Sequence, residues 1–259
     1  MRRRTLLTLS TATIAALAGC GGDSNGNGND DDPDSEPEPE PESEPDDGDD
    51  EPDTEPDEEP DRSDATELLS IREADDYFDN GGETFEGEGQ TVLDDITLGG
   101  AFTTWLFEHG GESNFALELE GPTEALLVND IGAVAGATGL GVAGGEYVVD
   151  VTADGAWSLT AAQPLAPAAE IRTPPVEASG EGPDVVGPVE IDATVTVSGT
   201  HDGESNFAVQ AYDEDASDRL SGELIFNEIG AFEGETRADP TGVVWVVVEA
   251  DGAWTLDIE

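Results

Sequence analysis

Apolar and polar residues alternate strictly in the stretch IDATVTVS, residues 191–198. The same alternation marks WTLDI at residues 254–258, whereas VVWVVV at residues 243–248 is a continuous apolar run. A period of two is that of a β-strand, and a short apolar run is typical of a strand at the centre of a sheet. Asp251 and Gly252 lie between two such stretches and form a two-residue hairpin signal. These features predict an all-β chain of antiparallel strands.

The body of the chain is an internal repeat, in which four short motifs return in the same order after 92 to 98 residues. The period is too long and the copies are too few for a solenoid. We therefore predict two tandem β-sandwiches, because an open sheet would leave one apolar face in water. The motifs are GEG (87–89 and 180–182), HGGESNFA (109–116) with HDGESNFA (201–208), NDIGA (129–133) with NEIGA (227–231), and ADGAW (153–157 and 250–254).

Composition changes divide the chain into six segments. The Asp/Glu/Pro-rich tract after Cys20 has no large apolar side chain, so it cannot offset the entropy of an ordered chain and should be disordered. The segment that follows it carries Leu68, Leu69 and Ile71, which are compatible with a short helix. The predicted segments are a signal peptide (1–19), the lipidated cysteine and disordered linker (20–64), a connecting segment (65–82), repeat 1 (83–162), an Ala/Pro linker (163–174) and repeat 2 (175–259).

The first twenty residues are typical of a twin-arginine lipoprotein signal. Arg3 and Arg4 precede a modest apolar stretch at residues 6–17, and Cys20 follows it directly after Leu-Ala-Gly. The stretch is too short to remain as a transmembrane helix. Cys20 is the single cysteine of the chain, so an intramolecular disulfide is excluded. We expect cleavage before Cys20 and lipid on its sulfur at the extracellular face of the membrane. Cleavage at another position is the alternative.

The charge of the chain limits its partners. There are 62 acidic residues against eight arginines and no lysine, for a formal net charge of −54, and 40 of the acids fall within residues 65–259. Nucleic acid and anionic lipid headgroups both require clustered basic residues, so neither is expected as a partner. Molar salt shortens the Debye length to about 3 Å and suppresses the self-repulsion of such a chain. We therefore predict a halophilic protein that contacts the membrane through its lipid. An acidic protein from a low-salt organism is the alternative.

The two histidines of the chain, His109 and His201, occupy equivalent places in the two repeats. Because each has the same neighbours beside a glycine turn, we favour a structural role over ligand or metal contact and over catalysis. A hydrolase triad could be imagined from His201, Asp202 and Ser205, but these residues lie too close together along one turn. Repeat 1 also has Gly110 in place of the aspartate. No catalytic residue, metal ligand or cofactor is therefore predicted.

The other repeated residues are also predicted to be structural. The two asparagines suit turns because Asn tolerates a positive φ, and the aromatic residues suit the core. For the repeated tryptophans, an exposed platform for sugars is the alternative. A calcium site among loop carboxylates is a further alternative, although no EF-hand pattern occurs. The structural residues are Asn114, Asn206, Phe115, Phe207, Trp157 and Trp254, with the single-copy Trp105 and Trp245, and the loop carboxylates are Asp130, Asp154, Glu228 and Asp251.

The set HxGxSNF, NxIGxxxG and ADGxW resembles a small β-sandwich module found in secreted and lipid-anchored proteins of archaea and bacteria, often in haloarchaeal lipoproteins. The match covers residues 83–162 and 175–259. The resemblance implies a β-sandwich fold and an extracellular location, and it implies no particular activity. We expect a non-catalytic structural or interaction module of the cell surface. A carbohydrate- or calcium-binding surface protein is the first alternative, with an unknown surface protein or glycan as partner, and a secreted hydrolase is the second.

Overall fold

The computed structural model describes residues 65–73 and 82–259, and these residues form an all-β fold. The predicted signal peptide, Cys20 and acidic linker lie outside the described residues. No helix within the described ranges has the length and apolar character needed to cross a bilayer. The strands are β1 (Thr66–Glu67), β2 (Glu83–Glu88), β3 (Thr91–Leu98), β4 (Ala101–His109), β5 (Asn114–Glu120), β6 (Ala125–Ile131), β7 (Val134–Val142), β8 (Gly145–Thr152), β9 (Ala156–Ala162), β10 (Val176–Glu181), β11 (Asp184–Ile191), β12 (Val195–His201), β13 (Asn206–Asp213), β14 (Glu223–Ile229), β15 (Phe232–Ala238), β16 (Gly242–Glu249) and β17 (Ala253–Ile258).

Each repeat builds two four-stranded antiparallel sheets with the same strand order. In repeat 1 these are sheet I (β3-β8-β5-β6) and sheet II (β2-β9-β4-β7). In repeat 2 they are sheet III (β11-β16-β13-β14) and sheet IV (β10-β17-β12-β15), with β1 added in parallel to β10. The sequence repeat is thus a repeat of topology, and each pair of sheets encloses apolar side chains as in a β-sandwich.

Strand β16 lies between β11 and β13, which confirms the central position predicted for the apolar run at residues 243–248. Val244, Val246 and Val248 point into the core of repeat 2. Trp245 and Val247 alternate with them and pack into the apolar cluster of repeat 1. The run is continuous because both faces of this strand are buried.

The two repeats are joined by an apolar interface between sheets II and III. The Phe102 ring stacks on Tyr212 and Trp245, with ring centroids 5.5 and 6.4 Å apart. The loop at 214–222 closes the interface: Ala216 is buried, and the carbonyl of Glu214 accepts a hydrogen bond from Phe102 N at 3.1 Å. Across this loop the offset between the repeats rises from 92 to 98 residues, so the loop is an insertion in repeat 2. The described residues consequently belong to one compact unit.

The helix considered for the connecting segment does not form in its described part, residues 65–73. Thr66 N and Leu68 N instead donate to carbonyls beside and within β10, at 3.2 and 2.7 Å. Leu68 is buried in the core of repeat 2 and Ile71 in the cluster of repeat 1. Pairing with an open sheet edge while burying both side chains outweighs the weak helix propensity of so short a segment. We call residues 65–73 the strap.

The stretch at residues 191–198 is likewise not a single strand. Ile191 ends β11 in sheet III and Val195 begins β12 in sheet IV, and the residues between them carry the chain from one sheet to the other. Thr194 hydrogen-bonds the Asp239 carboxylate at this crossing. The alternation continues through the turn because residues on both sides point into the same core. A period of two therefore could not locate the change of sheet.

Candidate functional site

His109 ends β4, and its ring is buried and contacted on three sides. Nδ1 lies 2.7 Å from the carbonyl oxygen of Gly132, and Nε2 lies 3.3 Å from Oδ1 of Asp154. The ring stacks on Phe115 with centroids 4.6 Å apart and planes 6° from parallel. The turns β6–β7 and β8–β9 each cross from sheet I to sheet II, and they meet β4 and β5 at one imidazole. We call this arrangement the histidine clasp. The Asp-Gly motif predicted as a hairpin is therefore such a crossing, since β16 and β17 also lie in different sheets.

Repeat 2 builds the same clasp around His201. Nδ1 lies 3.0 Å from Gly230 O and Nε2 lies 3.2 Å from Asp251 Oδ1, while the ring stacks on Phe207 at 4.9 Å. For each histidine, the carbonyl, the carboxylate and the stacked ring thus all come from its own repeat. The four motifs recur because they assemble one structural unit in each repeat. The two histidines thus belong to two separate clasps.

The aspartate of each clasp is held as an anion by main-chain donors. The N–H of Ser113, with that of Glu112, lowers the pKa of Asp154 below its usual value. Burial raises the pKa of Asp251, but the N–H groups of Ser205 and Glu204 outweigh burial, and the pKa is lowered overall. Both carboxylates are therefore ionised at neutral pH.

The histidine rings have acceptors at both nitrogens. A carbonyl oxygen can only accept, so Nδ1 of His109 carries a proton and donates it to Gly132. Nε2 faces a carboxylate oxygen of Asp154, which is also an acceptor. This contact does not meet hydrogen-bond geometry, so Nε2 lies beside the carboxylate without a hydrogen bond to it. The partners of the two nitrogens are thus a carbonyl and a carboxylate, rather than a serine hydroxyl.

The glycines of the motifs are explained by close packing of the two turns. A Cβ on Gly111 would collide with the Asp154 carboxylate and the His109 ring, and a Cβ on Gly155 would collide with the backbone of Gly111. The equivalent Gly203 in repeat 2 has the same collisions with His201 and Asp251. The spacing of the HxG and ADG motifs is thus a requirement of the clasp.

The repeated tryptophans seal the same end of each sandwich. The indole N–H of Trp157 donates to Gly89 O, and that of Trp254 donates to Gly182 O, both at 2.9 Å. All four tryptophans are buried, so the interpretation as an exposed sugar platform is wrong. No aromatic side chain within residues 65–73 and 82–259 is exposed. The aromatic residues predicted for the core, Phe115 and Phe207 among them, are indeed buried.

Asn114 and Asn206 are exposed at the first positions of β5 and β13, and neither has the positive φ that motivated the turn role. Nδ2 of Asn206 instead lies 3.4 Å from Oε1 of Glu249. Another repeated position is apolar and exposed. Ile131 and Ile229, at the ends of β6 and β14, are 79% and 81% exposed. Sequence reasoning did not single these residues out.

The residues considered for a triad or a metal site are not assembled. Oδ1 of Asp202 accepts from Ala253 N at 2.7 Å, and the carboxylate that faces His201 is that of Asp251. Ser205 contributes its main-chain N–H to Asp251. Of the loop carboxylates, Asp130 accepts from Ile131 N. Among the described residues, no group of three or more His, Asp and Glu is arranged to hold a metal ion.

A groove between the repeats is the site that sequence reasoning missed. One stretch of it has a volume of about 440 Å³, and an adjoining stretch of about 460 Å³ shares Leu126, Leu127, Thr138 and Glu249 with the first. Residues of β6 and β7 line one side, and residues of β13, β16 and the 214–222 loop line the other. The available signal was the insertion at 214–222, because that loop shapes one end of the groove.

Comparison with known proteins assigns no family. No family model matches the chain, and no curated protein matches it. Among solved structures, one similar chain is a single-residue mutant of Bacillus subtilis oxalate decarboxylase OxdC, which is 11% identical. The match covers 74% of this chain and 71% of that chain, with a TM-score of 0.20. At this level the similarity carries no argument about the site.

Proposed function

We propose that this protein is an exported lipoprotein whose β body is a non-catalytic structural or interaction module at the extracellular face of the membrane. The main support for a non-catalytic role is that each of the two histidines is buried, with Nδ1 bonded to a carbonyl and Nε2 beside a carboxylate of its own repeat. Imidazole is the commonest general base near neutral pH. We therefore assign His109 and His201 to stabilising the fold of each repeat.

The proposed location depends on the N-terminal sequence. Arg3, Arg4, the apolar stretch and Cys20 occur in the order required for twin-arginine export and lipidation. The formal charge of −54 favours an environment of molar salt, where repulsion between carboxylates is screened. Attraction to anionic headgroups is absent for such a chain, so its membrane contact would depend on the lipid alone.

Substitution at the lipidation site tests the anchor. Cys20→Ser should release the protein into the medium, whereas the neighbouring Ser24→Ala control should remain in the membrane fraction. Mass spectrometry of the mature protein should find an N-terminal Cys20 that carries lipid. Replacement of Arg3 and Arg4 by lysine should block export. Retention of Cys20→Ser in the membrane, or an unprocessed N-terminus without lipid, would refute the proposed anchoring.

The interaction alternative gains one specific observation, the groove between the repeats. It brings together asparagine and acidic residues from both repeats, including Asn129, Asp130, Asn206 and Glu249. A sugar site of the usual kind would add an exposed aromatic ring, which the groove lacks. The groove therefore favours recognition of a partner chain over recognition of a glycan.

A further inference from the structure

The groove has an open sheet edge along one side. Strand β6 is the last strand of sheet I and pairs only with β5. Such an edge exposes main-chain donors and acceptors that an added strand can use. Residues of β6 from Leu126 to Asp130 line the groove, so this edge faces the cleft.

The direction of the free main-chain groups follows from the register. Gly132 N donates to Ser113 O at 2.8 Å, immediately beyond the paired residues Asn114 and Ile131. In an antiparallel pair, every second residue turns its N–H and C=O toward the partner strand. The main-chain N–H and C=O groups of Asp130 and Val128 therefore point toward β5. Those of Asn129 point toward the open edge. The next outward N–H is that of Ile131, and it already donates a hydrogen bond of 2.7 Å to the Asp130 carboxylate.

Exposed apolar side chains accompany the edge. Leu126 is 58% exposed on the β6 side, and Leu220 is 80% exposed on the opposite side. Large exposed apolar residues around one cleft are typical of a surface that a partner covers. Together with the open edge, they suit an extended segment whose side chains alternate.

The charged side chains that line the groove indicate the charge of its partner. Asp130 and Glu249 lie on opposite sides, and Arg219 lies at the end formed by the 214–222 loop. The carboxylate of Asp251 is already occupied by the main-chain N–H groups of Ser205 and Glu204. The two remaining carboxylates, Asp130 and Glu249, can pair at contact distance with basic side chains and disfavour acidic ones, and such close pairs persist when molar salt screens longer-range attraction. The acidic linker of this chain is thus unsuited to the groove.

We propose that the groove binds an extended basic polypeptide segment as an additional strand on β6. Main-chain bonds to the free edge at Asn129 would hold the segment, Leu126 and Leu220 would cover its apolar side chains, and Asp130 and Glu249 would face its basic ones. This inference deepens the proposed interaction role by naming the class of partner, and it rests on that role only for the location of the protein.

The internal repeat supplies matched controls for the test. Leu224 and Asn227 of β14 are the counterparts of Leu126 and Asn129, and both lie outside the residues that line the groove. Leu224 is exposed to a similar extent, 52%. Leu126→Ser and Leu224→Ser remove the same apolar surface at the two sites. Asn129→Pro and Asn227→Pro each remove one outward N–H at a sheet edge, where proline is tolerated.

The probe is a fluorescent peptide of about eight residues that alternates lysine and valine, close to the length of β6. Its counterpart alternates glutamate and valine. Anisotropy of the purified full chain in molar KCl should show saturable binding of the lysine peptide alone. Leu126→Ser and Asn129→Pro should each weaken binding by about tenfold, while the β14 variants bind as the wild type does.

Three outcomes would overturn the inference. These are absence of saturable binding, equal loss in the β6 and β14 variants, and concentration-dependent dimerisation in sedimentation that Leu126→Ser abolishes. The last would assign the groove to a second copy of this chain. Each outcome is independent of the Cys20→Ser experiment, because peptide binding does not require the lipid. Failure of the groove inference is therefore distinguishable from failure of the proposed anchoring.

Discussion

The histidine clasp makes a sharp prediction for Gly111. An alanine there would place its Cβ on the Asp154 carboxylate and the His109 ring, so either the turn or the carboxylate must move. Overpacking of this kind costs about 1–3 kcal/mol of unfolding free energy. For a body of this size each kcal/mol lowers the melting temperature by about 2–4 °C, so we expect a loss of about 2–12 °C.

The neighbouring glycine is the matched control. A Cβ on Gly110 meets nothing closer than Ala156 O at 3.8 Å, and repeat 2 has Asp202 at the equivalent position. Gly110→Ala should therefore change the unfolding free energy by no more than about 1 kcal/mol. Gly203→Ala in repeat 2 should reproduce the loss seen for Gly111→Ala, because its Cβ has the same collisions.

Thermal unfolding in molar KCl, followed by circular dichroism, measures the three variants against the wild type. Equal melting temperatures for Gly111→Ala and Gly110→Ala would refute the reasoning. They would show that the Asp154 carboxylate and the His109 ring tolerate a Cβ atom at position 111. A fall in Gly111→Ala that persists in full in the Asp154→Ala background, where the carboxylate is absent, would place its origin in the His109 ring or the backbone turn.

Three further predictions follow from the same contacts. Gly110→Asp should raise the melting temperature, because its carboxylate can accept from Ala156 N as that of Asp202 accepts from Ala253 N; an unchanged value would contradict this. Carboxylates with a lowered pKa stabilise the fold above their unfolded-state value of 3.8 and lose that contribution in acid, so the melting temperatures of the wild type and Asp154→Asn should converge as the pH falls below that value. Ile71→Ala should cost about 2–5 kcal/mol if the strap is part of the core, and a loss under 1 kcal/mol would show that it is not.

The sequence was sufficient for features that depend on local pattern. The all-β fold and the central position of β16 followed from alternation and apolar runs, and the repeated motifs did mark equivalent structures. The sequence was not sufficient for features that depend on contacts between residues far apart along the chain. Nothing local shows that Asp154 faces His109, since the two are 45 positions apart and meet only when the β8–β9 turn folds against the end of β4. A helix remained possible for the strap for the same reason, because its main-chain partners lie in repeat 2.

Positions that differ between the repeats explain how the repeats pack. Trp245 and Val247 correspond to Val148 and Asp150 of repeat 1, and Phe102 corresponds to Thr194 of repeat 2. The larger apolar residues Trp245, Val247 and Phe102 lie at the joined faces of sheets II and III, where outward positions of a sheet become buried.

This head-to-tail contact could in principle continue with further copies, since a heterologous interface does not close on itself. Sheet I, however, presents Glu118 and Asp150 outward beside the exposed Val92 and Leu126, and sheet IV presents Ser198 and Thr200. Neither of these rows carries aromatic side chains like those that join sheets II and III. Residues shared by the repeats build the clasps, residues that differ build the interface, and the groove exists because sheet III is only partly covered by repeat 1.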